Sequence, residues 1–205
     1  MNMGKALVFE FAKLWAFIVC FLAVTACASA GEGKINIGDK MDDFTLNDTD
    51  GKPHSLYQSK GKNATVVIFI ATQCPYSNAF NHVMEQLYEE HQGKAVGFVA
   101  INANRTEPAA EVAQHAKAKG LKFLILKDEG SAIANRLGAR ATPEVYLLDS
   151  SMVLRYHGAL GNSKNPTTNP AVASSDEAKP AIEAVLAGKS VSMPTTKAFG
   201  CSIKR

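Results

Sequence analysis

The chain has 205 residues, 22 of them Lys or Arg and 19 Asp or Glu, for a formal charge of +3 and a pI near 8.6. That length carries one ordinary domain with extra segments and a sizeable core. The charges are mild and interspersed, with no basic run or stripe, which excludes a nucleic-acid footprint.

The first thirty residues are a different material. Lys5 and Lys13 precede an apolar run, LWAFIVCFLAVTACA, over residues 14–28. A basic start followed by an apolar stretch reads as an export leader. The competing reading, a retained membrane anchor, needs a longer run of roughly 20 residues. Glu10 is an unusual charge in such a leader. Two exits are open. Ala28-Ser29-Ala30 before Gly31 suits ordinary cleavage, and Val24-Thr25-Ala26-Cys27 resembles a bacterial lipobox that would place a lipid on Cys27. The expected location is outside the cytoplasm, either periplasmic or lipid-anchored to a bacterial membrane. Cys20 and Cys27 belong to this leader, so Cys74 and Cys201 remain, an even pair for an oxidising compartment.

Beyond the leader, residues 35–56 hold two short alternating stretches around Asp50-Gly51, a hairpin signal. ATVVIFIA, residues 64–71, is a continuous β-branched and aromatic run, as in a strand buried on both faces. After Cys74, Phe80, Val83, Met84 and Leu87 recur at helical spacing, with Asn81, Glu85, Glu89 and Glu90 opposite and Gly93 ending the helix. AVGFVAIN, residues 95–102, predicts another buried strand. PAAEVAQHAKAKG, residues 108–120, predicts a helix with an early proline and a closing glycine. LKFLIL (121–126) predicts a strand, and SAIANRLGA (131–139) a short helix started by its serine.

PEVYLLD and MVLRYHG, on either side of Ser150-Ser151, predict an antiparallel hairpin. Residues 161–175, rich in Asn, Pro and Ser, predict a surface loop, and AIEAVLAG (181–188) a last helix after Pro180. The final fifteen residues show no period. The order of elements predicts an α/β fold, a mixed central sheet flanked by helices with an N-terminal β-hairpin. The expected divisions are a leader (1–27), a domain (35–189) and a C-terminal tail (190–205) carrying Cys201.

Cys74 falls where the strand of residues 64–71 turns into the next helix. Unpaired backbone N–H groups and the positive end of the helix dipole favour a thiolate there. Pro75 suits a first helical turn, and Ser77 and Asn78 can add hydrogen bonds to the sulfur. A small buried structural cysteine is the competing reading, but Thr72, Gln73 and Ser77 make a polar setting for it.

Three stretches now carry a resemblance. IGDKMDDFTLNDTDGKPHSL (37–56), VVIFIATQCPYSNAF (66–80) and GARATPEVYLLD (138–149) resemble the thioredoxin-like superfamily. The branch is the one shared by membrane-associated thiol–disulfide oxidoreductases and peroxiredoxins of the alkyl hydroperoxide reductase/thiol-specific antioxidant type. The resemblance implies a thioredoxin-like fold, a reactive Cys74, and a cis-proline at Pro143 preceded by Thr142. Thr72, Pro75, Tyr76 and Ser77 would support the site, and Pro143 would help hold an extended substrate as an added strand. It implies no cofactor and no metal. Partners would be protein or small-molecule disulfides and thiols, with a separate electron donor.

Two departures stand out. Ser77 occupies the place of the second thiol of a Cys-x-x-Cys pair, which is also the usual peroxidatic position. Ile68 stands where thioredoxin proper keeps a buried aspartate. The resemblance extends to the tail, Gly200-Cys201-Ser202-Ile203-Lys204, which makes Cys201 a candidate partner for Cys74. The expected activity is thiol–disulfide exchange. Peroxide reduction at Cys74, copper binding and a non-catalytic module are the alternatives. His82, His115 and His157 have no ligand-set spacing.

Overall fold

The predicted Asp50-Gly51 hairpin forms: β1 (Thr45–Asp48) and β2 (Pro53–Ser55) pair antiparallel, with Thr45 opposite Ser55. The Asp48 carboxylate ties the turn by accepting the N–H groups of Asp50 and Lys52, both at 2.9 Å. This is a computed structural model, and it describes residues 34–161 and 169–205. The leader with Cys20 and Cys27, and residues 162–168, lie outside the described residues.

Strand β3 (Ala64–Ile70) is buried along its whole length. Its side chains alternate between two cores. Ala64, Val66, Ile68 and Ile70 face one cluster, and Val67 and Phe69 face the other. Each such side chain removed from water contributes about 1.5–3 kcal/mol, which is why the β-branched run settles at the centre of the sheet. Next come two short helical segments, α1 (Pro75–Ala79) and α2 (Asn81–Gln92), broken at Phe80. The single periodic run predicted after Cys74 is thus two helices, and the break leaves α1 free to follow the cysteine turn.

Strand β4 (Val96–Asn102) pairs parallel with β3. Helix α3 (Ala109–Lys119) ends on left-handed Gly120, and β5 (Leu124–Lys127) pairs parallel with β4. Helix α4 (Ala132–Leu137) follows. Ser131 is its N-cap, as predicted, but the serine side chain does not do the capping. The Ser131 hydroxyl donates to the Ala103 carbonyl, and the Asp128 carboxylate accepts the first helical N–H groups, from Ile133 and Ala134.

Strands β6 (Ala141–Thr142), β7 (Glu144–Asp149) and β8 (Leu154–Gly158) come next. Strand β7 lies antiparallel to β8, as the hairpin pattern predicts, and also antiparallel to β3. The main sheet runs β2-β1-β5-β4-β3-β7-β8, with parallel pairing at its centre and antiparallel pairing outside. Helix α5 (Ala178–Leu186) starts three residues earlier than predicted and joins α2 and α3 on the first face. Helix α4 packs on the second face.

The tail departs most from expectation. Residues 194–196 run parallel to the β8 edge: the His157 N–H donates to the Pro194 carbonyl and the Thr196 N–H to the His157 carbonyl. Gly158 permits that approach, since a Cβ there would lie 2.2 Å from the Thr196 hydroxyl. The chain then forms β9 (Cys201–Ser202), antiparallel to β6. Phe199, Cys201 and Ile203 face inward, while Gly200, Ser202 and Lys204 are exposed. A period of two is therefore present where none was predicted. It is short and interrupted by glycine, so it escapes a pattern search over longer windows. The described residues, tail included, belong to one compact unit.

Candidate active site

The parallel centre of the sheet delivers three chain segments to one end: the turn after β3, the loop after β4, and the loop before β7. The first carries Cys74. It is the N-cap of α1, with φ −88° and ψ 117°, and its sulfur accepts the Ser77 N–H at 3.3 Å. Pro75 takes the first helical position, where no N–H is needed. Cys74 is 2% exposed.

Ser77 does something other than expected. Its hydroxyl turns from the sulfur and accepts the Ala71 N–H at 3.1 Å, pinning the end of β3 to the helix. The Asn78 amide likewise goes to the Thr72 carbonyl at 2.8 Å and not to the sulfur. The only contribution of Ser77 to the sulfur among the described hydrogen bonds is its backbone N–H.

The second segment supplies a residue the sequence did not single out. Glu107, fully buried, accepts the N–H groups of Thr72 at 2.8 Å and Gln73 at 3.1 Å. The amides of Asn102 and Asn104 bind the same carboxylate at 2.6 and 2.8 Å. Burial pushes this carboxyl upward, but the hydrogen bonds outweigh it and hold it below the ordinary range. Asn102 and Asn104 therefore act through Glu107, as props for the cysteine turn. Thr72 adds a hydroxyl bond to Glu111 at 2.6 Å.

The third segment carries Thr142 and Pro143, joined by a cis peptide bond. The Cys74 thiol donates to the Thr142 carbonyl at 3.3 Å, so this loop is the opposite wall of the site, as the resemblance implies. Glu144 secures it by accepting the N–H groups of Arg140 and Ala141 at 2.7 and 2.9 Å. His157 meets the same carboxylate at 2.6 Å. Burial raises the Glu144 carboxyl, and His157 followed by those N–H groups lowers it further than burial lifts it. His157 is thus a half-buried partner of a buried structural carboxylate. His115 is bonded to the Asn81 amide at 3.1 Å. Among the described residues, no group of three or more His, Cys, Asp or Glu could hold a metal ion.

Cys201 comes from the tail. In the β6–β9 ladder it is the register partner of Thr142, whose hydroxyl donates to the Cys201 carbonyl at 3.4 Å. Its pairing with Thr142, whose carbonyl takes the Cys74 thiol, brings the two cysteines near enough to interact electrostatically. Both cysteines are free. Burial, then the contact with Cys74, pushes the Cys201 thiol up to about 11. It therefore stays protonated at neutral pH. The Tyr76 ring faces Phe199 edge-on at 6.0 Å, so Tyr76 holds the tail as well as lining the site. Ile68, in the place of the thioredoxin aspartate, is a core side chain.

Known proteins resemble this chain in sequence and in fold. The thiol-disulfide oxidoreductase ResA of Halalkalibacterium halodurans aligns at 30% identity over 149 residues, 73% of this chain and 79% of that protein. A conserved protein of Geobacillus kaustophilus superposes with a TM-score of 0.78 at 29% identity, covering 84% of this chain and 94% of that one. A hypothetical protein of Sinorhizobium meliloti gives 0.77 at 30% identity, over 84% and 96%. Fold and relatives together make the chain a thiol–disulfide oxidoreductase of thioredoxin-like type. Within that class the chain belongs to the redoxin family, whose pattern matches residues 36–175.

Proposed function

We propose that Cys74 and Cys201 are the redox pair of this oxidoreductase, Cys74 attacking and Cys201 resolving. The observation that supports the reading is the docking of β9, which pairs Cys201 with Thr142, the residue whose carbonyl takes the Cys74 thiol, although Ser77 fills the usual second place. In the reductive direction the Cys74 thiolate attacks a substrate disulfide, and one substrate sulfur leaves as a thiolate. Cys201, deprotonated as it reacts, then attacks the Cys74 sulfur and releases the second substrate thiol. The product is a Cys74–Cys201 disulfide, which a donor dithiol returns to the reduced pair.

A non-reducing peptide map after one turnover tests this. The expected result is a linked Cys74–Cys201 peptide, and a Cys74→Ser variant should lose disulfide reduction. Wild-type rates in that variant would end the proposal.

The leader pattern supports export, with the domain either free in the periplasm or held by a lipid on Cys27. Thiol pairs work where oxidants reach them. Among the described residues no helix is long and apolar enough to cross a membrane. The mass of the mature N-terminus separates the two forms: a lipidated Cys27, or an unmodified start at Gly31.

A further inference from the structure

The strand that fills the site carries information about what else fits there. Strand β9 is held as an added strand. Thr142 faces Cys201 and Ala141 faces Ser202 in the ladder, and the Ile203 N–H donates to the Arg140 carbonyl at 3.0 Å. Lys204 closes the run: its N–H goes to the Asn104 side chain at 2.7 Å and its carbonyl accepts from Arg105 at 2.9 Å. Side chains on the inward face each meet a prepared surface. Phe199 lies edge-on to Tyr76 and Phe80, at 6.0 and 6.4 Å. Cys201 meets Cys74, and Ile203, 5% exposed, enters the second core. Main-chain bonds along an edge with pockets for alternate side chains are how proteins bind extended peptides.

Building on the reading of Cys74 as the attacking thiol, we propose that the tail is a built-in stand-in for the substrate. The substrate is an extended polypeptide disulfide whose cysteine has an aromatic residue two places before it and a branched aliphatic residue two places after. Tail and substrate compete for one ladder, so the tail leaves before such a substrate reacts. Gly200 is the release point. Its backbone lies so close to β6 that a Cβ would sit 2.1 Å from the Thr142 carbonyl oxygen, at a φ of +142° that side chains rarely adopt.

The test uses full-length Cys201→Ser protein, in which the reaction stops at the first step. The Cys74 thiolate attacks the peptide sulfur, a Cys74–peptide disulfide forms, and the leaving thiol departs with the electron pair. Three disulfide probes are compared: a cysteine peptide with Phe and Ile at the two positions, the same peptide with Asp at both, and hydroxyethyl disulfide. The peptides carry a coloured leaving thiol. The Phe/Ile peptide should react about tenfold or more faster than the Asp peptide. Adding Gly200→Ala should raise its rate by a further tenfold or so, because the competent fraction grows as the tail undocks.

Equal rates for the two peptides, with hydroxyethyl disulfide still reacting, would overturn the proposal and leave the Cys74 reading intact. An unchanged rate in a folded Gly200→Ala protein would overturn it as well. No reaction with any probe would overturn both readings. Ile203→Asp is the second releasing variant, read in the same way, should Gly200→Ala fail to fold.

Discussion

Glu107→Gln keeps the side chain's shape and removes its charge and half its acceptors. One carboxylate oxygen takes the Thr72 N–H and the Asn102 amide, and the other takes the Gln73 N–H and the Asn104 amide. Glutamine has one oxygen and one NH2 group, so two of these donors come to face another donor. The asparagines cannot turn to relieve this. Asn102 Oδ1 already accepts from Lys127 at 3.2 Å, and Asn104 Oδ1 accepts the Lys204 N–H. Two bonds to a charged acceptor are lost, each worth about 1.5–3 kcal/mol, for an expected loss of at least about 3 kcal/mol. In a domain of this size that lowers Tm by about 6–12 °C.

The assay is thermal unfolding followed by circular dichroism from pH 7 downward. Glu107 is held below the ordinary carboxylate range, so its contribution is complete above its unfolded value near 4.3 and is lost as pH falls through the folded value. The gap between wild type and variant should be widest at neutral pH and shrink in acid. A Tm drop under about 2 °C at pH 7, or a gap that grows on acidification, would refute the account of Glu107 as the prop of the cysteine turn.

Other expectations follow from the same geometry. In the wild-type protein, alkylation of Cys201 by iodoacetamide should rise with pH around a midpoint of about 11; a midpoint at the ordinary thiol value would show that burial and Cys74 do not restrain it. His157→Ala removes the 2.6 Å partner of buried Glu144 and should lower stability by about 1–3 kcal/mol, read as a lower urea midpoint. An unmoved midpoint would mean that the N–H groups of Arg140 and Ala141 suffice. Stopped-flow mixing with hydrogen peroxide should show Cys74 reacting no faster than free cysteine, and a much faster reaction would favour the peroxidase alternative.

What could be read in the sequence had a local signature. The run 64–71 declares a strand buried on both sides, and β3 is one. Cys74 and Pro143 stand in stretches whose likeness to a known branch is itself local, and the structure brings them to facing walls. The supports of the site were not legible in this way. Glu107, Glu144 and Asp128 look like any acidic residue of a turn or strand. Their roles depend on N–H groups supplied by residues they meet only after folding, as Thr72 meets Glu107. Ser131 and Asn78 misled for the mirror reason. Each is a good local capping or bonding residue, and each is recruited by a nearby carbonyl instead.

The position of the second thiol has a kinetic consequence. In a Cys-x-x-Cys frame both sulfurs ride on one helix, and the interval between attack and resolution is fixed by that rigid spacing. Here Ser77 is tied to Ala71, and the other thiol sits on a strand held by a few main-chain bonds and two apolar contacts. In the proposed cycle the lifetime of the covalent complex is therefore a dwell time, set by how long that strand stays away. Substitutions at Phe199, Gly200 or residues 202–204, remote from the bond-making atoms in chemistry if not in space, would lengthen or shorten the interval without altering either thiol.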